Sequence, residues 1–118
     1  MRDQVVSIHP YFKVKQGCEA SFGEICDKLV AKTSVEQGCI NYGFSFSGDT
    51  VFCRESYVNA TAAMQHLGNV GELVVEALQF ADLDRLEIHG TAEQLEILKE
   101  AVAPYNPVLF ILEKGFRN

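Results

Sequence analysis

The most restrictive feature of this 118-residue chain is the order in which its hydrophobic periodicity changes. Apolar residues recur every second position in some segments, which is typical of strands, and every third or fourth position in others, which is typical of helices. From the N-terminus, the predicted elements are a strand over 5–14, a helix over about 21–35, a hairpin over 39–58, two short helices over 59–80 separated at Gly68-Asn69, a strand over 84–89, a helix from Thr91 and a strand over 108–112.

Strand–helix–strand followed by strand–helix–strand is the split β-α-β order of the ferredoxin-like fold. The order therefore predicts an α+β domain, in which an antiparallel sheet carries its helices on one face. The length suits a single domain. We predict one domain over 1–118, with a core at about 5–90 and a helix–strand extension at about 91–118.

The hairpin has the clearest predicted register. If Gly48-Asp49 forms a two-residue turn, Phe44 pairs with Cys53 and Tyr42 pairs with Glu55. Glu55 then lies on the more apolar face, where a carboxyl group must be paired, be hydrogen-bonded or have a raised pKa. A buried structural glutamate and an acid or base in a cavity both remain open.

His66 follows on the predicted helix. It lies at the boundary of the apolar stripe, where it could face a cavity between helix and sheet, or solvent. Histidine is the usual group for proton transfer near neutral pH. The three histidines are spread over the chain without metal-ligand spacing, so we expect no metal ion.

Composition narrows the partners. The net charge is −6 and no Lys/Arg cluster is present, so we do not expect nucleic acid or an anionic membrane surface. No apolar run reaches the roughly 18 residues of a membrane span. The N-terminus lacks the pattern of a signal peptide, and the four cysteines form no CxxC pair, so we expect reduced thiols in the cytoplasm.

The sheet face without helices still carries apolar side chains, among them Tyr11 and Phe52. A mixed apolar face of this kind is usually covered by a second copy of the chain. We therefore predict a homodimer.

Three short segments resemble the antibiotic biosynthesis monooxygenase-like family. They are Glu36-Gln37-Gly38-Cys39-Ile40-Asn41-Tyr42, Arg54-Glu55-Ser56-Tyr57 and Ala63-Met64-Gln65-His66, and the resemblance covers roughly residues 5–90. It implies a ferredoxin-like dimeric α+β barrel. It also implies a cofactor-independent monooxygenase that acts on a small aromatic, phenolic or quinol-type metabolite.

By this resemblance, the expected catalytic residues are His66 as base, Glu55 and Tyr57, and the expected substrate-binding residues are Tyr42, Phe44 and Met64. The absence of tryptophan disfavours the haem-degrading members. Where many members carry a second histidine, this chain has Asn69-Val70-Gly71. Two alternatives stay open: a non-catalytic protein that binds a small molecule, and an isomerase or decarboxylase of the same fold that needs no oxygen.

Overall fold

The computed structural model describes residues 3–118. Five strands and three helices follow the predicted order, and a short 3-10 helix precedes the last strand. The strands are β1 (Val6–Val14), β2 (Cys39–Ser47), β3 (Thr50–Tyr57), β4 (Ala81–Gly90) and β5 (Val108–Ile111); the helices are α1 (Glu19–Thr33), α2 (Ala60–Ala77) and α3 (Ala92–Val102); the 3-10 helix spans Ala103–Tyr105.

The strands form one open sheet in the order β2-β3-β1-β4-β5. The predicted α+β architecture is confirmed, but the sheet is mixed, because β5 runs parallel to β4. The connection between β4 and β5 runs through α3, and parallel neighbouring strands require a crossover of this kind. The predicted antiparallel core, β1 to β4, is confirmed, and the strand of the predicted helix–strand extension adds to its edge in the parallel direction.

The hairpin has the predicted register. Phe44 lies opposite Cys53, and Tyr42 lies opposite Glu55. Gly48 occupies the turn with a φ of 60°, a conformation that glycine adopts without the clash a Cβ atom would cause. Because side chains alternate across a strand, this register places Glu55 on the face that the helices cover.

Pro10 predicts that β1 bulges or lies at an edge there, because proline has no amide hydrogen to donate to a neighbouring strand. The strand lies between β3 and β4, and its register against β4 shifts between Tyr11 and Phe12, as the first alternative predicts. The ladder is thus irregular next to the residue that lacks the amide hydrogen. Every second residue of β1 is buried, as the alternation of apolar residues in its sequence predicts.

Helix α2 is continuous, whereas the sequence predicted two helices that break at Gly68-Asn69. Each interior glycine costs about 1 kcal/mol relative to alanine. The helix nevertheless buries Ala63, Val70 and Ala77 against the sheet and the neighbouring helices. That burial outweighs the cost of the glycines and keeps His66 and residue 69 on one rigid element.

Among the described residues, no helix combines the length and apolar character required to cross a membrane. Cys18, Cys26, Cys39 and Cys53 are free thiols.

Candidate active site

A cavity lies between α1, α2 and the inner face of the sheet. Its wall is mostly aliphatic and aromatic, and its polar side chains are those of Tyr42, Cys53, Glu55, His66 and Tyr105. The cavity has a volume of about 80 Å³. A single water needs roughly 10–15 Å³ of such volume, so the cavity is large enough for a small organic group.

Glu55 supplies the carboxyl group of this cavity. Its inward position on β3 leaves it 5% exposed, and burial raises its pKa from 4.5 to about 7. The hydrogen bond from Tyr57 opposes this shift, whereas the negative charge of Glu36 adds to it. The carboxyl group is therefore available in both protonation states near neutral pH.

Tyr57 lies behind Glu55 and is fully buried. Its hydroxyl group donates a hydrogen bond of 2.7 Å to Oε1 of Glu55. Burial, followed by the charge of Glu55, raises the pKa of Tyr57, so the phenol stays neutral. The cavity wall does not include Tyr57. This side chain can act on a bound molecule only through Glu55, which differs from the catalytic role that the resemblance implied.

His66 is 2% exposed, although its angle on the helical wheel predicted a boundary position. Residues from other elements cover it: Tyr42 and Tyr57 lie with ring centroids 5.3 and 4.9 Å from the imidazole. Burial lowers the pKa of His66, and the hydrogen bond and charge of Glu36 oppose this effect. Neutral imidazole is therefore the favoured form near neutral pH, and it can accept a proton.

Glu36 is the residue that the sequence analysis missed. It precedes β2, and its two carboxylate oxygens lie 3.1 and 2.9 Å from Nδ1 of His66. The Nδ2 amide of Asn69 donates a further hydrogen bond of 2.8 Å to Glu36. The signal was present, since Glu36 opens the first family-like segment, but no spacing rule connects it with a helix residue 30 positions later.

Gly38 explains how the segment before β2 comes so close to α2. A Cβ atom at Gly38 would lie 2.5 Å from Cβ of Ala62. Its carbonyl oxygen also accepts a hydrogen bond of 2.9 Å from the backbone amide of Val58. Glycine at this position therefore permits the close contact that brings Glu36 to His66.

Two of the three predicted substrate-binding residues line the cavity. Tyr42 and Phe44 contact each other with ring centroids 5.6 Å apart and contribute to its wall. Met64 is 41% exposed and is not part of the wall. It precedes His66 by two positions, which is about 200° around a helix, so it belongs to a different face of α2.

The cavity thus joins an acid and a base. Nε2 of His66 lies 3.5 Å from Oε1 of Glu55, and the other ring nitrogen is bonded to Glu36. A neutral imidazole and a carboxyl group that titrates near pH 7 can accept and donate protons on one bound molecule. Within residues 3–118, no group of three or more His, Cys, Asp or Glu side chains is arranged to hold a metal ion.

A solved structure of MupZ from Pseudomonas fluorescens has a TM-score of 0.94 to this chain. The two sequences are 36% identical, and the match covers all of this chain and 92% of MupZ. This chain belongs to the MupZ family. No family model matches it, and no curated protein does.

Structures that are less similar than MupZ share the fold alone. A conserved protein from Methanosarcina mazei Go1 is 20% identical, with a TM-score of 0.68 over 73% of this chain and 91% of that one. A protein from Caulobacter crescentus CB15, described as a candidate antibiotic biosynthesis monooxygenase, is 20% identical, with a TM-score of 0.64 over 73% of this chain and 86% of that one. The predicted antibiotic biosynthesis monooxygenase-like fold is thereby confirmed.

Proposed function

We propose that this member of the MupZ family is an enzyme that transfers protons on a small, largely apolar metabolite. Glu55 and His66 are the groups that touch the substrate. The observation that carries the proposal is their arrangement: Nε2 of one and Oε1 of the other lie 3.5 Å apart in the wall of an otherwise apolar cavity.

The reaction that suits this pair is an isomerisation without oxygen. Nε2 of His66 takes a proton from an acidic C–H or O–H group, and protonated Glu55 gives one to a second substrate atom. The substrate keeps its number of protons and leaves as an isomer. The imidazolium then returns its proton to the Glu55 carboxylate across the same gap, so the site resets without a proton from solvent.

A cofactor-independent monooxygenase acting on a phenol or quinol is the second candidate. The aromatic rings of Tyr42 and Phe44 in the wall favour it, because an aromatic substrate stacks well on such rings. His66 would remove the phenolic proton, and the resulting carbanion-like substrate would itself supply the electrons that reduce O₂. This reaction uses the base and leaves the raised pKa of Glu55 without a role, so we place it second.

The experiment is a substrate screen in D₂O, run in parallel under nitrogen and in air. Phenols, quinols and α,β-unsaturated carbonyl compounds are incubated with the protein, and NMR follows deuterium incorporation, while an electrode follows O₂. Conversion under nitrogen that His66→Ala abolishes supports the isomerase, and O₂ uptake that the same variant abolishes supports the monooxygenase. Glu96→Gln on the exposed face of α3 is the control, because Glu96 lies outside both the cavity wall and the helix-free face of the sheet.

If a compound of the screen binds but is converted neither under nitrogen nor in air, both reactions are contradicted and a non-catalytic binding protein is supported. The cytoplasmic location, which rests on the sequence alone, stays a prediction.

We infer in addition that two copies of the chain pair through the sheet face that carries no helix. On this face Tyr11 and Phe52 have ring centroids 4.9 Å apart, and His89 stacks on Phe110 at 4.6 Å. An apolar aromatic surface of this kind is stabilised by a partner. Light scattering should give twice the chain mass for the protein and for Val75→Arg on the surface of α2, but the single-chain mass for Phe52→Arg.

A further inference from the structure

The imidazole of His66 also has polar partners on the side that faces away from Glu55. Nδ1 lies 2.9 Å from one carboxylate oxygen of Glu36, and the second oxygen lies 3.1 Å away. The side chain of Glu36 is 14% exposed, whereas that of His66 is 3% exposed. The imidazole is thus held between an inner carboxyl group and an outer one.

Asn69 holds the outer carboxylate in place. Its Nδ2 atom donates a hydrogen bond of 2.8 Å to Glu36 and one of 3.2 Å to the backbone carbonyl oxygen of Lys32 at the end of α1. Asn69 and His66 lie on the same helix, three residues apart, which places them on one face. Glu36 therefore accepts hydrogen bonds from two side chains of α2, and the amide of Asn69 ties it also to α1.

We propose that Glu36, fixed by Asn69, is a positioning residue that keeps the proton of neutral His66 on Nδ1 and so presents the bare Nε2 to the cavity. A carboxylate accepts hydrogen bonds and cannot donate them, so Nδ1 must carry hydrogen in this contact. Which nitrogen of a histidine is protonated is set by the bond that its other nitrogen makes. The catalytic consequence rests on the proposed function, whereas the tautomer does not.

The groups around His66 support this assignment. Glu36 comes from the segment before β2, Tyr42 from β2, Glu55 and Tyr57 from β3. The Tyr57 hydroxyl is already committed to Oε1 of Glu55. Without Glu36, Nε2–H facing the Glu55 carboxylate would be the better tautomer, and it would leave the cavity without a base.

The test is ¹⁵N NMR of the imidazole rings at about pH 8, above the ordinary titration range of histidine. The protein should show His66 with hydrogen on Nδ1. In Glu36→Gln, a neutral amide replaces the carboxylate that accepts from Nδ1–H, and a hydrogen bond to a neutral acceptor is about half as strong, so the population of the Nε2–H form should grow. Asn69→Ala, at a half-buried position, should shift the population in the same direction by a smaller amount.

The matched control is Glu96→Gln on the exposed face of α3, which should leave the His66 spectrum unchanged. An unchanged tautomer in both Glu36→Gln and Asn69→Ala would overturn the proposal, as would an Nε2–H form in the unaltered protein. If Glu36→Gln does not fold, the His66 tautomer in Asn69→Ala decides whether the proposal holds.

Activity separates this inference from the proposed function. With a substrate in hand, Glu36→Gln should lower kcat by up to about 10²-fold with little change in KM, because the base is lost and the cavity wall is not. It should also move the acidic limb of the pH profile to lower pH, since Glu36 raises the pKa of His66. An inactive protein with the expected tautomer would contradict the proposed function and leave the positioning role intact.

Discussion

Nε2 of His66 and Oε1 of Glu55 approach to 3.5 Å across the wall of the cavity, although one residue belongs to a helix and the other to the sheet. This separation is slightly longer than a good hydrogen bond, as is common for catalytic pairs before a ligand binds. A substrate atom that lies against both groups exchanges protons with each.

Replacing His66 by alanine should lower turnover by about 10²–10⁴-fold, which is the usual contribution of a general base. Glu55→Gln should cause a loss of similar size if Glu55 is the acid. Steady-state kinetics on the substrate from the screen measure both. A double variant that is no worse than either single one indicates that the two groups act as a unit. Full activity of His66→Ala would remove it from the mechanism.

The pH dependence of stability reports on Glu55. Its pKa is raised in the folded protein, so folding favours the protonated form. This contribution is complete below about pH 4.5 and is lost as the pH rises through about 7, a change on the order of 3 kcal/mol. Urea unfolding between pH 4 and 9 should show the decline, and Glu55→Gln should flatten it. The lowered pKa of His66 acts in the opposite sense, since its contribution is complete above about pH 6.5 and is lost as the pH falls from there to the lowered pKa.

Tyr57→Phe should raise the pKa of Glu55 further, because the hydroxyl group of Tyr57 donates to the carboxylate and lowers that pKa. At alkaline pH, where Glu55 is ionised, the variant should therefore be less stable than the unaltered protein by roughly 1.5–3 kcal/mol, the usual contribution of a hydrogen bond to a charged group. Below pH 4.5 the loss should be smaller. The same loss at both ends would mean that the hydroxyl group serves packing alone. Carbon-13 NMR of the Glu55 carboxyl measures the pKa directly.

Gly38→Ala should destabilise the protein by about 1–3 kcal/mol, because the added methyl group overlaps Ala62. The segment that carries Glu36 should move away from α2, and the His66 tautomer should change with it. Gly43→Ala in β2 is the matched control, since a Cβ atom there meets nothing within 4 Å. Chemical denaturation of both variants is the measurement, and equal effects would contradict the assigned role of the close contact.

Two glycines of α2 provide a paired test of the cavity. Added Cβ atoms at Gly68 and Gly71 meet nothing within 4 Å, but only Gly71 lines the cavity. Alanine at either position should stabilise the helix by about 1 kcal/mol. Gly71→Leu should in addition occupy the cavity and abolish ligand binding, whereas Gly68→Leu should leave it unchanged. Calorimetric titration with the ligand from the screen decides, and equal binding by both leucine variants would place the ligand elsewhere.

The prediction of two helices over 59–80 shows where local rules are insufficient. Gly68 and Asn69 are both poor helix formers, and their succession is a standard signal for a break. The helix continues because its apolar residues face the sheet and because Asn69 finds partners on α1 and on Glu36. Both gains depend on residues that are distant in the sequence.

Strand periodicity and turn chemistry predict the hairpin register, the alternation along β1 and the inward direction of Glu55 correctly, because they act between residues that are close along the chain. Three features become visible in the three-dimensional structure alone: Glu36 contacts His66, Tyr57 lies behind Glu55 and outside the cavity wall, and β5 runs parallel to β4. These contacts join residues that are far apart in the chain, or depend on how a helix packs on the sheet. No local periodicity encodes either.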